Sequence, residues 1–183
     1  MCVLILVPLV DLNGSPAVLY TRRSLSLSSH SGQVSFPGGK VDPQDASLVD
    51  TALRETEEEL GIPRSSVEVW CQMPALSSNQ RGDYSATPVV GFVKNYPNLK
   101  LRLSSQEVSS VFCLPLSNLS SVSQQGYTQF RVTNKPGYSL PVFTGGPHVA
   151  WGLTAIITFQ LLRALLPSSL YSHKILFQSP VLK

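Results

Sequence analysis

A run of acidic residues near the middle of the chain has the spacing of a cation-binding cluster. The run reads Arg54-Glu55-Thr56-Glu57-Glu58-Glu59-Leu60-Gly61. In a helix each residue advances by about 100°, so Glu58 and Glu59 lie within about 60° of Glu55. Three carboxylates on one flank repel one another, and the C-terminal end of a helix disfavours them further. A hard divalent cation such as Mg²⁺ reverses both penalties, because it binds oxygen ligands.

A pair of glycines precedes this run. The segment Pro37-Gly38-Gly39-Lys40 directly follows the short apolar stretch Val34–Phe36. Glycines at the end of a strand let the backbone approach a phosphate or offer a carbonyl oxygen to a metal. An acidic run alone is often only solvated surface, and a Gly-Gly turn alone is weak evidence. Together with Asp45, the two features favour a site over a solvated helix face.

The three glutamates require a helix with one buried face, and the sequence predicts this helix over Ala46–Leu60. Residues of one face recur at helical spacing, namely Val49, Ala52, Leu53, Thr56 and Leu60. We expect Asp45 to cap the start of this helix and Gly61 to end it. Glu57 is about 160° from Glu55 and is expected to point away from the cluster.

Strands are predicted on both sides of this helix. Val3–Leu9 and Ala17–Thr21 flank a polar turn and predict a hairpin, and Ser24–Ser31 is predicted to be a loop. Further strands are expected at Val34–Phe36, Val67–Met73, Pro88–Lys94, Leu99–Leu103, Val111–Leu114, Tyr127–Val132 and Leu140–Phe143. Val149–Leu166 predicts a buried helix in which Trp151 belongs to the core. The pattern indicates an α/β (α+β) fold, with a mixed sheet and packed helices, in one domain over residues 1–183.

Bulk composition narrows the class of protein. Of 183 residues, 43% are hydrophobic and 14% are charged, which argues against disorder. A net charge of +3 is too small to indicate nucleic-acid wrapping, but it suits a small polyanionic substrate. Three widely spaced cysteines favour a reducing compartment. The apolar stretch after Met1 is too short to span a bilayer, and Gln160 and Arg163 argue against stable membrane insertion of the last helix. No Arg-rich presequence is visible.

The stretch from Gly39 to Ile62 resembles the Nudix box, G-x5-E-x7-R-E-U-x-E-E-x-G-U, in which U is aliphatic. The matching residues are Gly39, Arg54, Glu55, Glu58, Glu59, Gly61 and Ile62. Asp45 replaces the usual glutamate, eight residues instead of seven separate it from Arg54, and Thr56 replaces an aliphatic residue. The first two departures are similar to the coenzyme A diphosphatase branch of the family, as are the segments Gly32–Gly39, Thr51–Glu55, Thr87–Gly91, Glu107-Val108 and Trp151–Ala155.

The resemblance implies a Nudix fold, with the sheet sandwiched between helices, and roles for individual residues. Mg²⁺ or Mn²⁺ would be held by Glu55, Glu58, Glu59 and the Gly39 carbonyl. Catalysis would depend on Glu58, Glu55 and Arg54, and on Glu107 as a general base or an extra ligand; for Glu107, a plain surface residue is the open alternative. Substrate phosphates would be contacted by Arg22, Arg23, Lys40 and Arg81. Each of these cations could instead be solvated.

The implied activity is hydrolysis of coenzyme A and acyl-coenzyme A to 3′,5′-ADP and a 4′-phosphopantetheine product, and the implied address is mitochondrial. One mismatch keeps other substrates open, because the branch has Arg where this chain has Ser28. The alternatives are a Nudix hydrolase of a nucleoside-diphosphate sugar, NADH or a dinucleoside polyphosphate, and a non-catalytic nucleotide-binding module. The sequence does not indicate the preferred acyl group or the oligomeric state.

Overall fold

The apolar run at the start of the chain forms the central strand of a sheet in the computed structural model, which describes residues 2–77, 85–130 and 137–178. The chain divides into two units, Met1–Pro115 and Leu116–Lys183, which are treated separately below. The strands of the first unit are β1 (Cys2–Asp11), β2 (Pro16–Arg23), β3 (Val34–Ser35), β4 (Gly38–Lys40), β5 (Val67–Gln72), β6 (Leu76–Ser77), β7 (Ser85–Val93) and β8 (Val108–Pro115).

The sheet of the first unit is mixed, as predicted. Its strand order is β3-β2-β1-β7-β5, with β4 paired to β1, β6 to β7 and β8 to β2. β1 and β7 run parallel, whereas the other pairings between described strands are antiparallel. The predicted hairpin is confirmed. Its turn contains Asn13 and Gly14 at φ 54° and 87°, and the Gly14 N–H donates to the Asp11 carboxylate at 2.7 Å.

One helix, α1 (Leu48–Leu60), packs on β1 and β4 through the predicted face. Ala52, Thr56 and Leu60 are fully buried there, against core residues that include Leu4 and Leu6. The polar Thr56 is accommodated because its hydroxyl donates to the Ala52 carbonyl at 2.7 Å. A hydroxyl at this usually aliphatic position therefore leaves no unsatisfied polar group in the core.

The predicted N-cap of α1 is wrong, although the predicted C-terminal end is confirmed. Ser47 is the N-cap, and its hydroxyl accepts the Asp50 N–H at 3.1 Å. Asp45 is engaged elsewhere, in contacts described below. Gly61 ends the helix at φ 69°, a left-handed conformation that favours glycine. A Cβ at Gly61 would also press on the Arg102 backbone at 3.0 Å.

The strand predicted at Leu99–Leu103 is also wrong. A 3₁₀ turn at Tyr96–Asn98 is followed by extended chain that joins no sheet. The N–H groups of Arg102 and Ser104 instead donate to the carbonyls of Leu60 and Glu59, at 2.8 and 2.9 Å. These are carbonyls that the end of a helix leaves without intrahelical partners, so the segment caps α1 instead of forming a ladder.

The second unit contains helix α2 (Leu116–Ser120), β9 (Gln125–Phe130), β10 (Gly137–Phe143), α3 (Gly152–Leu165) and β11 (Phe177–Gln178). The strands form an antiparallel sheet in the order β11-β10-β9, on which α3 packs through β10. The last helix starts later than predicted, because Ala150 pairs with Phe143 in a β-bridge. Trp151 is 41% exposed, so its predicted core position is wrong. In the described parts of the chain, we find no helix of the length and apolarity that crossing a membrane requires.

Candidate functional site

Arg54 connects the loop after β4 to the carboxylates of α1. Its guanidinium holds Asp45 with two N–H groups, Nε to Oδ1 at 2.9 Å and Nη2 to Oδ2 at 3.1 Å. Nη2 also donates to the Lys40 carbonyl at 3.1 Å, and Nη1 lies 3.1 Å from carboxylate oxygens of both Glu55 and Glu58. A rigid guanidinium fork suits this arrangement, since one side chain fixes a loop and two carboxylates together.

Asp45 is the anchor for this arginine. Its side chain is only 4% exposed. Its Oδ2 also accepts hydrogen bonds from the Thr51 hydroxyl at 2.8 Å and from the Asp42 N–H of the same turn at 2.9 Å. The Arg54 hydrogen bonds, above all, hold the pKa of Asp45 well below its usual range. Asp45 in turn raises the pKa of Arg54. An aspartate one residue further from Arg54 than the family glutamate therefore still forms a two-pronged ion pair.

Glu59 is the most buried carboxylate of the cluster. It is 6% exposed, and the Gly38 N–H lies 3.4 Å from its Oε1. Loss of solvent raises its pKa to about 8, with Glu107 and Glu55 adding to the rise, while Gly38 and the charge of Arg23 oppose it. Among the described residues no cation lies within ion-pair distance of Glu59. The protein therefore compensates a negative charge at this position only in part, through the Gly38 N–H and the more distant charge of Arg23.

Glu55 lies against the glycine turn. A Cβ at Gly39 would collide with the Glu55 carboxylate, so this close approach requires glycine. Burial raises the pKa of Glu55, Arg54 opposes the rise, and the charges of Glu58 and Glu107 add to it. Glu58 is more open, at 57% exposed. Glu57 points away, as predicted, and pairs with Arg64 at 3.2 Å.

Glu107 faces the same cluster from another loop, since its charge acts on both Glu55 and Glu59. Its position is fixed by backbone hydrogen bonds from Glu107 N–H to Ser104 and from Ser24 N–H to the Glu107 carbonyl, at 2.9 and 2.8 Å. The Ser24 hydroxyl also donates to the Ser105 carbonyl at 3.2 Å. Ser24 could not be identified from the sequence, where it is one of several serines. Its burial after β2, at 7% exposed, distinguishes it from its neighbours only in the structure.

The predicted substrate cations differ in their surroundings. Lys40 is exposed, and Arg81 lies outside the described residues. Arg22 is bound to the adjacent loop, where its Nε donates to the Gly32 carbonyl at 3.3 Å. Arg23 is near Glu59, and its buried Nε has no hydrogen-bond partner in the described part of the chain. The β2–β8 register shifts beside these two arginines, where Ser109 is the extra residue of β8.

The donor set suits a hard divalent cation. Within residues 2–77, 85–130 and 137–178, no three acidic, histidine or cysteine side chains already converge as a metal-binding group. However, Glu55, Glu58 and Glu59 share one flank of α1, and the Gly39 backbone lies beside Glu55. Glu59 is buried, and no described cation lies at ion-pair distance from it. Negatively charged oxygen donors are the ligands that Mg²⁺ and Mn²⁺ prefer.

Replacing Glu59 by Gln is expected to stabilise the metal-free protein at alkaline pH. A folded-state pKa of about 8, against an ordinary 4.5, means that the folded state holds its proton longer than the unfolded chain. Stability is therefore lost as pH rises from 4.5 to 8, and glutamine removes this loss. Thermal unfolding in EDTA should show Glu59→Gln melting about 5 °C above wild type at pH 8. The difference should vanish below pH 4.5, and a constant difference at all pH values would contradict this explanation.

Comparisons with known proteins agree with these features. Residues 3–131 match the family model of the NUDIX domain. Mitochondrial coenzyme A diphosphatase NUDT8 of Homo sapiens is 46% identical over 166 residues, which cover 90% of this chain and 70% of that protein. The uncharacterized Nudix hydrolase NudL of Photorhabdus laumondii is 42% identical over 146 residues, 80% of this chain and 75% of that protein. The crystal structure of RenU, a Nudix hydrolase of M. smegmatis, has the same fold, with a TM-score of 0.58 at 15% identity over 90% of this chain and 86% of that one.

Proposed function

Because this chain belongs to the Nudix family and is a hydrolase of its diphosphatase type, we propose that it hydrolyses the diphosphate of coenzyme A and acyl-coenzyme A. The products are 3′,5′-ADP and 4′-phosphopantetheine or its acyl form. The observation that carries the proposal is the similarity, over most of the chain, to the human protein whose name states this activity. By the same similarity we propose a mitochondrial location.

The family membership suggests roles for the residues of the cluster, and their positions support these roles. Glu55, Glu58, Glu59 and the Gly39 carbonyl would hold Mg²⁺ or Mn²⁺ against the diphosphate. When bound, the cation supplies charge stabilisation and lowers the pKa of a water. Arg54 maintains the orientation of Glu55 and Glu58 through its contacts at 3.1 Å. In the hydrolysis, water adds to one phosphorus, and the bond between that phosphorus and the bridging oxygen breaks. Glu107 faces Glu55 and Glu59, and we assign it to accept the proton of that water.

Ser28 supports a second candidate substrate class. It is exposed in the loop before the glycine turn, at a position where the coenzyme A branch has Arg. A missing cation at this position favours a substrate without the 3′-phosphate of coenzyme A, such as a nucleoside-diphosphate sugar, NADH or a dinucleoside polyphosphate. The serine does not alter the carboxylate cluster, so both candidates share the same chemistry.

A product assay separates these candidates. Coenzyme A, acetyl-coenzyme A, ADP-ribose, NADH and diadenosine tetraphosphate are incubated with the full chain and Mg²⁺ or Mn²⁺, and products are resolved by chromatography. We expect metal-dependent release of 3′,5′-ADP from coenzyme A, which EDTA abolishes. Preferred turnover of another diphosphate would reject coenzyme A but keep the hydrolase. Turnover of none of them would reject the proposed substrate class.

Substitution of Arg23 is expected to impair substrate binding far more than substitution of Arg22. The Arg23 guanidinium lies near the carboxylates with an unpartnered Nε, whereas Arg22 is already bound to Gly32. A lost charge-assisted hydrogen bond to phosphate corresponds to about a tenfold or larger rise in KM for Arg23→Gln. Arg22→Gln, the matched control, should change KM less than about threefold. Steady-state kinetics with coenzyme A measure both, and equal effects would contradict the distinction.

A further inference from the structure

The distribution of charge along the chain is strongly uneven. All eleven acidic residues precede residue 116, where nine basic residues accompany them. The second unit has no aspartate or glutamate, and its basic residues are Arg131, Lys135, Arg163, Lys174 and Lys183. No acidic side chain within this unit can neutralise these cations. The side chains of this unit therefore form a basic surface that attracts anions.

Two of these cations line a pocket of about 640 Å³ in the second unit. The pocket lies between α3 and the segment that follows it, with Arg163 and Lys174 exposed beside the hydroxyls of Ser168 and Ser172. Its size is that of a small-molecule site, since such pockets occupy about 300–1,000 Å³. Cations together with hydroxyl donors, and no acceptor carboxylate, form a lining that suits an anion.

The inner wall of this pocket is a rigid aromatic cluster. Phe159, Tyr171 and His173 are each about 5% exposed, and their rings meet edge to face at centroid distances of 6.1–6.3 Å. The Arg163 guanidinium lies over the Phe159 ring at 5.6 Å, which fixes its position at the rim. His173 has a buried Nε2 that makes no hydrogen bond of standard geometry within the described chain, while its Nδ1 lies 3.4 Å from the Tyr171 hydroxyl. The wall therefore offers an apolar surface beside the two cations.

We propose that this pocket binds a phosphate monoester, with Arg163 and Lys174 contacting the phosphate and the serine hydroxyls donating to it. A phosphate monoester carries close to two negative charges at neutral pH, which matches two cations. Both products of the proposed reaction carry such a group, but the pocket is argued from its own residues and does not depend on that reaction. Neither cation is part of the proposed catalytic cluster.

Calorimetric titration of the full chain tests the proposal. The probes are 3′,5′-ADP and inorganic phosphate, in EDTA so that no metal contributes. We expect the double variant Arg163→Gln/Lys174→Gln to bind 3′,5′-ADP at least tenfold more weakly than wild type. Lys94→Gln/Lys100→Gln removes the same charge from exposed residues of the first unit and should bind as wild type does. Inorganic phosphate should compete for the site.

A second variant tests whether weaker binding comes from lost charge contacts or from lost packing of the Arg163 and Lys174 side chains. Ser172→Glu adds a carboxylate to the pocket without removing Arg163 or Lys174, and it should abolish binding by repulsion while the melting temperature stays unchanged. Equal affinity of the two double variants, unchanged affinity of Ser172→Glu, or no competition by phosphate would each overturn the proposal. The titration requires no turnover, so failure of coenzyme A hydrolysis would leave its result intact, and the reverse also holds.

Discussion

Replacing Glu58 by Gln is expected to lower kcat for coenzyme A on the order of a thousandfold, with little change in thermal stability. Glutamine keeps the shape of the side chain but removes the negative charge that would hold the metal. The fold should tolerate this change, because Glu58 is 57% exposed and contacts Arg54 at the surface of α1. Single-turnover product formation and thermal unfolding measure the two effects.

Glu57→Gln is the matched control for this experiment. Glu57 is the neighbouring glutamate on the same turn of helix, but its carboxylate pairs with Arg64 and points away from the cluster. Activity within about twofold of wild type is expected for this variant, since an exposed ion pair contributes little. If both variants lost activity equally, the effect would come from the general negative charge of α1 and not from the flank shared with Glu55 and Glu59.

Replacing the two adjacent glycines by alanine should have different effects, a loss of activity at Gly39 and a loss of stability at Gly38. The atoms nearest to a Cβ at Gly39 belong to the far end of the Glu55 side chain, which can move. Gly39→Ala should therefore fold normally and displace Glu55, with a fall in kcat/KM of about tenfold to a hundredfold. A Cβ at Gly38 meets the Leu4 carbonyl and the Ile5 backbone, and Gly38 has φ 151°. Gly38→Ala should lower Tm by at least about 5 °C.

Gly126→Ala is the control for adding a methyl group, because its Cβ would meet only Val142 at an ordinary 3.8 Å. Thermal unfolding and coenzyme A kinetics on the three variants separate the two expected effects. A loss of stability in Gly39→Ala as large as that of Gly38→Ala would show that the backbone cannot accept the methyl group. The proposed displacement of Glu55 would then lose its support.

The local features of α1 could be predicted because they depend on helical spacing alone. The shared flank of Glu55, Glu58 and Glu59, the opposite direction of Glu57 and the end at Gly61 all agree with the structure. The N-cap could not be predicted in the same way. Asp45 and Ser47 are both suitable cap residues, and the choice is made by Arg54, which occupies the Asp45 carboxylate.

Features that depend on distant partners could not be predicted. The alternation Leu99-Lys100-Leu101-Arg102-Leu103 is typical of a strand. The backbone of this segment instead donates hydrogen bonds to the last carbonyls of α1, a helix that lies about forty residues earlier. Arg22 and Arg23 are neighbours on β2, so their side chains point to opposite faces, and the sequence alone does not indicate which face lies beside the carboxylates. The roles of the individual site residues remain predictions, and the substitutions above test them.

The capping of α1 by Arg102 and Ser104 has a consequence for how chain length can vary in this protein. The two backbone bonds to Leu60 and Glu59 fix the start of the segment, and Ser24 fixes its end at Glu107. A residue inserted between Arg102 and Glu107 would have to break one of these attachments or bulge outward. Insertions before Leu99, where the 3₁₀ turn Tyr96–Asn98 lies ahead of both attachments, would leave Glu107 in place. Changes in loop length are therefore expected to be tolerated before Leu99 but not between Arg102 and Glu107.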